Sequence, residues 1–240
     1  MPVTKLASGV PGLDQILKGG IREKSSFLVS GGPGTGKSIF GMQFLIAGAE
    51  RGEKGLAILY DTEPEQYLIY AATLGINLEK YVKSGLITLL KEPLMLRKVP
   101  TLAPPLEIIQ TKKIKRVALD SLSIFSYIYI SDDREYRSKV MSFLYYMRDV
   151  TLLATVEALE FDIDELKFRP EHFLFDGVVF LTKVRVEASF ERVLHVAKMR
   201  GQEHLMNIYP FTIGKGGITV YPDQLPFYLM NNEGLKKQKK

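Results

Sequence analysis

The sequence contains no cysteine and only three histidines, and these shortages exclude several kinds of chemistry. A chain without cysteine forms no disulfide, has no thiol nucleophile and makes no zinc–thiolate site. The histidines His172, His195 and His204 do not have the spacing of a metal-binding motif. We therefore expect a metal ion only together with a bound ligand.

Long apolar runs are also absent. No stretch approaches the ~20 apolar residues of a membrane-spanning helix, and the first residues lack the hydrophobic region of a signal peptide. With 240 residues, of which 46 % are hydrophobic, the chain is long enough to bury a full core. These features predict a soluble, cytoplasmic protein with no membrane contact.

The formal net charge of +5 is mostly carried by the last residues. Four lysines lie in the segment 234–240, so the rest of the chain is nearly neutral. We interpret 234–240 as a basic, disordered tail, with a short nucleic-acid-binding arm as the alternative. Residues 1–233 are predicted to form a single domain.

The most informative pattern that is present is a glycine-rich loop at 31–38. Its residues are Gly31, Gly32, Pro33, Gly34, Thr35, Gly36, Lys37 and Ser38. In the pattern Gly-x4-Gly-Lys-Ser/Thr, backbone N–H groups surround a triphosphate and the lysine reaches its terminal phosphates. A short apolar run precedes the loop and helical spacing follows it, so the loop joins a strand to a helix. We predict that it binds ATP, with Ser38 donating an oxygen to Mg²⁺.

Short hydrophobic runs alternate with amphipathic segments through the first two thirds of the chain. This alternation predicts an α/β fold with a mostly parallel sheet and helices on both faces. The clearest helix is expected near 134–148, and a proline-rich surface connection at 93–105. After residue 176, closely spaced strands predict C-terminal antiparallel hairpins. The expected strands are 25–30, 56–60, 86–90, 117–119, 151–156, 178–181, 193–197, 208–213 and 218–221.

Three carboxylates follow predicted strands, where side chains face the ligand crevice of such sheets. Asp120 ends the strand near 117–119 and is predicted to hold the Mg²⁺ water shell. Asp61 and Glu63 follow the strand 56–60, and one of them is expected to activate the attacking water. The alternative for both is capping of the helix that follows. Thr155 and Glu157, at the end of the next strand, 151–156, are candidate γ-phosphate sensors, with a structural role for the threonine as the alternative.

Taken together, these segments make the chain resemble the KaiC, RadA and RecA superfamily of P-loop ATPases, most closely a single KaiC-type domain. Besides the phosphate loop, Leu-Asp-Ser-Leu-Ser at 119–123 and Val-Ala-Lys-Met-Arg-Gly-Gln-Glu-His at 196–204 are similar to family segments. The matching segments are 8–21, 31–38, 119–123, 196–204, 209–213 and 217–222. The resemblance implies a RecA-like core and an ATPase that forms a ring, usually of six copies, with ATP between protomers.

The resemblance also implies residues that act on a neighbouring subunit's nucleotide. In the family, a lysine and an arginine separated by one residue contact the γ-phosphate in trans, and a histidine six residues after the lysine lies nearby. The corresponding residues are Lys198, Arg200 and His204. On a strand, Lys198 and Arg200 point to one face. Exposed charges on an edge strand are the alternative.

One departure from the family pattern leaves the catalytic carboxylate open. KaiC domains carry two adjacent glutamates where this chain has Asp61 and Thr62, whereas recombinase relatives carry an Asp-x-Glu arrangement. Glu63 is favoured because its longer side chain reaches a water without displacing the metal shell, and Asp61 is the alternative.

Three functions are compatible with these features. The leading one is a slow, Mg²⁺-dependent, KaiC-like ATPase that acts as a ring-forming switch on a protein partner that the sequence does not identify. The alternative is a RadA-type recombinase paralogue that binds DNA, and the third is a nucleotide-dependent scaffold with negligible turnover. The loops expected to line a channel, 131–137 and 157–176, weaken the DNA alternative. The second contains seven acidic and two basic residues, which would repel phosphates.

Overall fold

A nine-stranded sheet organises the fold of the computed structural model, which describes residues 3–92, 103–129, 132–158 and 168–230. The strands are β1 (Lys5–Leu6), β2 (Ile21–Arg22), β3 (Ser26–Gly31), β4 (Gly55–Leu59), β5 (Ile87–Lys91), β6 (Arg116–Asp120), β7 (Thr151–Glu157), β8 (Gly177–Val186), β9 (Ser189–Met199), β10 (Ile208–Gly214) and β11 (Gly217–Val220). The helices are α1 (Leu13–Ile16), α2 (Lys37–Ala49), α3 (Pro64–Thr73), α4 (Leu78–Lys83), α5 (Ala103–Lys112), α6 (Ser123–Ile128), α7 (Asp133–Tyr146) and α8 (Pro170–Leu174).

The order across the large sheet is β11-β10-β9-β8-β3-β7-β6-β4-β5. The six strands from β8 to β5 are parallel, and β9, β10 and β11 extend the sheet as antiparallel hairpins. This arrangement confirms the predicted α/β class, the mostly parallel sheet and the antiparallel C-terminal strands. The two-stranded sheet of β1 and β2 was not predicted, because each strand contributes only two residues.

Helices cover both faces of the sheet, as the strand sequences require. Along β3, Phe27 and Val29 lie in the core beneath α2, whereas Leu28 lies in the core on the opposite face with α7. Successive side chains of a strand point to opposite faces, so a strand buried on both faces reads as a continuous apolar run. The phosphate loop therefore follows a strand that is fixed from both sides.

Helix α7 shows how sequence sets local structure. The Asp132 side chain accepts hydrogen bonds from the backbone N–H groups of Arg134 and Glu135, which caps the first turn. The buried face carries Tyr136, Val140 and Phe143. This is the apolar stripe predicted near 134–148, and it packs in the core.

Some predictions fall on parts of the chain that are not described. The basic tail 234–240 and most of the predicted connection 93–105 lie outside the described residues, and α5 begins at Ala103. Among the described helices, none combines the length and the apolar character needed to span a bilayer. The single-domain boundary at residue 233 remains a prediction.

Candidate nucleotide site

The phosphate loop connects β3 to α2, and its glycines are required by the backbone. Gly34 and Gly36 have φ values of 67° and 101°, in the left-handed region. A Cβ atom on Gly31 would lie 2.5 Å from the Leu181 carbonyl oxygen, so a side chain would collide with β8. Helix α2 begins at Lys37, and its amino end therefore faces the loop.

Lys37 extends back across the loop that precedes it. Its Nζ donates a hydrogen bond of 3.0 Å to the Gly32 carbonyl oxygen, and Thr35 Oγ1 donates one of 2.9 Å to the same oxygen. Burial lowers the pKa of Lys37, and the negative charges of Glu157 and Asp120 oppose that change. A partly buried ammonium group whose partner is a neutral carbonyl oxygen forms a stronger hydrogen bond with an anion than with that carbonyl oxygen. Lys37 is therefore placed to bind a negatively charged ligand.

Asp120 ends β6 and is fixed by the neighbouring strand. Thr155 Oγ1 donates a 2.6 Å hydrogen bond to Asp120 Oδ1, and the peptide bond that follows Asp120 is cis. Thr155 lies in β7, which pairs with β6 in parallel. This contact favours the structural alternative for Thr155, since its hydroxyl orients a carboxylate in the described geometry.

The two candidate bases have different surroundings. Partial burial raises the pKa of Asp61, and the charges of Asp120 and Glu157 raise it further. Glu63 is 65 % exposed and forms an ion pair of 3.1 Å with Lys91 Nζ. It occupies the N-cap position of α3, yet its side chain makes no capping hydrogen bond. The structure thus brings Asp61 to the other carboxylates and turns Glu63 towards Lys91.

A tyrosine beside these carboxylates was missed from the sequence. The Tyr127 hydroxyl donates a hydrogen bond to the Glu157 carboxylate, and this contact is the main cause of a raised pKa of Tyr127. The Glu157 backbone N–H donates to Ser123 Oγ at 2.9 Å. Ser123 and Tyr127 are one helical turn apart on α6, so both side chains lie on the same side of the helix. This spacing was the signal in the sequence that could have indicated Tyr127, but it is common to all helices and therefore not specific.

Lys198 and Arg200 lie at the other end of the parallel strands. In the β8–β9 pair, Lys198 is opposite Val178, whereas the first residue of the phosphate loop, Gly31, is opposite Leu181. At about 3.3 Å per residue, Lys198 is displaced by about 10 Å along the sheet, towards the amino ends of the strands. Arg200 follows at the end of β9 and extends this displacement.

Both cations bind the carboxyl end of α8. Lys198 Nζ donates a 2.8 Å hydrogen bond to the His172 carbonyl oxygen, and Arg200 Nη2 donates one of 2.6 Å to that of Phe173. Burial and the charge of Arg200 lower the pKa of Lys198. Cations at a helix carboxyl end complement its dipole, so these residues already have a structural role.

His204 follows β9, and its charge contributes to the lowered pKa of His195. Burial is the main cause of that lowering. Within the described ranges, the buried His204 Nε2 has no hydrogen-bond partner.

Comparison with known proteins identifies the family. The model of the family "ATPase: KaiC" matches residues 6–225. The chain belongs to the KaiC ATPase family. It is 31 % identical to a UPF0273 protein of Pyrococcus furiosus, over 93 % of this chain and 96 % of that protein. It is 27 % identical to the circadian clock protein KaiC3 of Synechocystis, over 92 % of this chain but only 46 % of that protein. The chain thus spans about half the length of the latter.

A solved structure supports the same assignment. The crystal structure of a KaiC-like protein from Pyrococcus horikoshii OT3 has a TM-score of 0.78 and 31 % sequence identity, covering 92 % of this chain and 100 % of that one. The fold of this KaiC-family chain is therefore of the RecA-like type predicted from the sequence. These relatives are UPF0273 and KaiC proteins, and their identity does not favour the recombinase alternative.

The oxygen donors of this KaiC-type site fit a magnesium ion that arrives with phosphates. Ser38 is the second residue of α2, next to Lys37, and Asp120 supplies a carboxylate. Hydroxyl, carboxylate and phosphate oxygens are the ligands that Mg²⁺ prefers. In the described part of the chain, no group of three or more His, Cys, Asp or Glu residues could hold a metal by itself.

The two loops expected to line a channel are only partly described. Residues 133–137 form the beginning of α7, and 159–167 lie outside the described residues. The described end of the second loop contains α8, whose carboxyl end binds Lys198 and Arg200.

Proposed function

We propose that this chain binds and hydrolyses ATP with Mg²⁺ and assembles into a ring in which ATP lies between protomers. The observation that carries the proposal is the phosphate loop with Lys37 directed across it and the carboxylates of Asp120, Asp61 and Glu157 beside it. Six copies is the ring size that the family resemblance implies.

Binding rests on the loop and on Lys37. The loop supplies backbone N–H groups and the amino end of α2, and both favour negative charge. Lys37 exchanges its hydrogen bond to the Gly32 carbonyl oxygen for contacts with the terminal phosphates. The exchange is favourable because a charge-assisted hydrogen bond to phosphate is stronger than one to a neutral carbonyl.

Ser38 and Asp120 would hold the magnesium ion, which neutralises phosphate charge when it is bound. Thr155 keeps the Asp120 carboxylate oriented through its 2.6 Å hydrogen bond.

The base that accepts a proton from the attacking water is one of two residues. Asp61 is supported by its position beside Asp120 and Glu157 and by its partial burial, which is the main cause of its raised pKa, because a less acidic carboxylate accepts a proton more readily. Glu63, favoured by side-chain length, must first leave its ion pair with Lys91. We therefore propose Asp61 as the base and retain Glu63 as the alternative.

Lys198 and Arg200 are proposed to act on a neighbouring protomer's ATP. Their position towards the amino ends of the strands separates them from the loop of their own chain. An arginine supplied in trans is worth ~10³ or more in rate in related phosphoryl-transfer systems. His204 is proposed to lie near the same nucleotide.

The direct test of the proposed function is Lys37→Ala. We expect loss of Mg²⁺-dependent phosphate release and weakened ATP binding, because the variant lacks the cation that faces the terminal phosphates. Lys83→Ala is the matched control, since Lys83 is 74 % exposed on α4 and forms an ion pair of 2.7 Å with Glu79 on the same helix. Steady-state phosphate release and calorimetric ATP binding are measured for both. Undiminished turnover in Lys37→Ala would overturn the assignment.

A further inference from the structure

A second lysine, Lys183, lies on the phosphate loop. Its Nζ donates a hydrogen bond of 3.0 Å to the Pro33 carbonyl oxygen. Lys183 is in β8, two residues beyond Leu181, which is opposite Gly31. Side chains two residues apart share a face of a strand, and Leu181 packs in the core beneath α2. Lys183 therefore projects on the face of the sheet where α2 begins, beyond the end of β3.

The ammonium group of Lys183 lies close to the backbone of the loop. A Cβ atom on Gly34 would lie 3.1 Å from Lys183 Nζ, so a residue larger than glycine would crowd the ammonium group. Within the described residues, no carboxylate oxygen lies within 4.0 Å of Lys183 Nζ in an ion pair. The partner it does have is a neutral carbonyl on an exposed part of the loop.

Two ammonium groups thus converge on neighbouring residues of one loop. Lys37 Nζ binds the Gly32 carbonyl oxygen and Lys183 Nζ binds that of Pro33. The two lysines repel each other, since the charge of Lys183 contributes to the lowered pKa of Lys37. A bound polyanion would attract both ammonium groups, and these two attractions would offset the repulsion between them. The lysine of a phosphate loop reaches the terminal phosphates, so a nucleotide bound in this way would have Lys183 near its terminal phosphates as well.

We propose that Lys183 is a second phosphate-binding residue of this site, which contacts the terminal phosphate of a nucleoside triphosphate from within the same chain. The proposal rests on the proposed function and adds a residue outside the loop pattern. Because the contact is with the terminal phosphate, Lys183 favours the triphosphate over the diphosphate.

The test compares Lys183→Met with Arg185→Met. Arg185 is the matched control because it lies on the same face of β8, is exposed, and donates a hydrogen bond of 2.9 Å from Nε to the Glu187 carbonyl oxygen. Dissociation constants for ADP and for a non-hydrolysable ATP analogue are measured by calorimetry with Mg²⁺. We expect Lys183→Met to weaken analogue binding by about tenfold, the size of one charge-assisted hydrogen bond, and ADP binding by much less.

Arg185→Met is expected to match the wild type, and Lys183→Arg is expected to recover most of the analogue affinity. Equal losses for ADP and the analogue would show that Lys183 only supports the loop through Pro33, and would overturn the proposal. Wild-type affinity in Lys183→Met would overturn it as well. If the wild-type protein binds neither nucleotide, the proposed function itself fails, which is a result distinct from either of these.

Discussion

The charged groups at the two ends of the parallel strands differ in how many hydrogen bonds and ion pairs they already make. At the carboxyl end, Lys37 bonds to one backbone carbonyl oxygen, and Asp61 is crowded by other carboxylates. At the amino end, Lys198 and Arg200 bond to carbonyl oxygens of α8, and Arg200 lies 4.0 Å from Asp176. Lys37 and Asp61 are therefore available to contact a ligand, whereas Lys198 and Arg200 already stabilise the fold. Experiments on the amino end must therefore separate stability from activity.

The largest effect that tests this comparison is expected from Arg200→Ala. We expect a ~10³-fold loss of ATP turnover with ATP binding retained, since the arginine would act on another copy's γ-phosphate. Loss of its hydrogen bonds to α8 should lower the free energy of unfolding by about 1 kcal/mol or less, because the side chain is 54 % exposed. Turnover, ATP binding and urea unfolding are measured on the same preparation.

Mixing two inactive variants sharpens that result. Rings formed from Arg200→Ala and Lys37→Ala protomers contain some interfaces with an intact loop and an intact arginine, so partial turnover should return as subunits exchange. Exchange is followed independently with labelled protomers. A mixture that exchanges but remains inactive at every ratio would show that Arg200 does not act in trans.

The next effect distinguishes the two carboxylates at the carboxyl end. Asp61→Asn is expected to lower kcat by ~10² with little change in ATP affinity, because it removes the proton acceptor and leaves the phosphate loop intact. Glu63→Gln should lower kcat by less than tenfold, since Glu63 pairs with Lys91. Single-turnover hydrolysis with both variants checks the ranking. The reverse order would establish Glu63 as the base.

A further prediction concerns the pH dependence of stability and His172, whose side chain approaches Ser30 while its carbonyl oxygen binds Lys198. His172 Nδ1 accepts a 2.9 Å hydrogen bond from the Arg169 backbone N–H, and Nε2 lies 3.3 Å from Ser30 Oγ on β3. Burial, together with smaller contributions from the charges of Arg169 and Lys198, lowers the pKa of His172 to about 4. The unfolded chain therefore binds the proton more readily than the native state.

Stability should accordingly fall as the pH drops from about 6.5 to about 4, by roughly 3 kcal/mol from this residue. His172→Gln lacks the titrating group, so its stability does not include this pH-dependent contribution. The difference in unfolding free energy between wild type and variant should therefore shrink as the pH falls across this interval. Urea unfolding at several pH values measures it. A constant difference would mean that His172 does not titrate as its burial requires.

The smallest effect is expected for DNA. We predict at most weak, sequence-independent binding that is lost when the last five residues are deleted, because most of the net positive charge of the chain lies there. Titrations of the full chain and the shortened chain at about 50 and about 200 mM salt test this. Tight, ATP-stimulated binding by the shortened chain would instead support the recombinase alternative.

Features set by neighbours in the sequence were predictable. The phosphate loop, the strand before it and α2 form one local unit, and the position of Asp120 at the end of a strand was predicted because a buried run ends there. Lys183 and Tyr127 were not found, because their positions depend on the register of β8 against β3 and on the packing of α6 beside β7. The orientations of Asp61 and Glu63 depend on Lys91 of a neighbouring strand, which no local pattern reveals.

The separation of Lys37 and Arg200 along the sheet has a consequence for counting active sites. If Arg200 completes another copy's site, the contact between copies joins two different patches, and such head-to-tail contacts either close into a ring or continue as a filament. An open chain of copies leaves one phosphate loop without its arginine, whereas closure leaves none. The number of competent sites then equals the number of copies only in the closed assembly, so turnover per protomer reports closure directly.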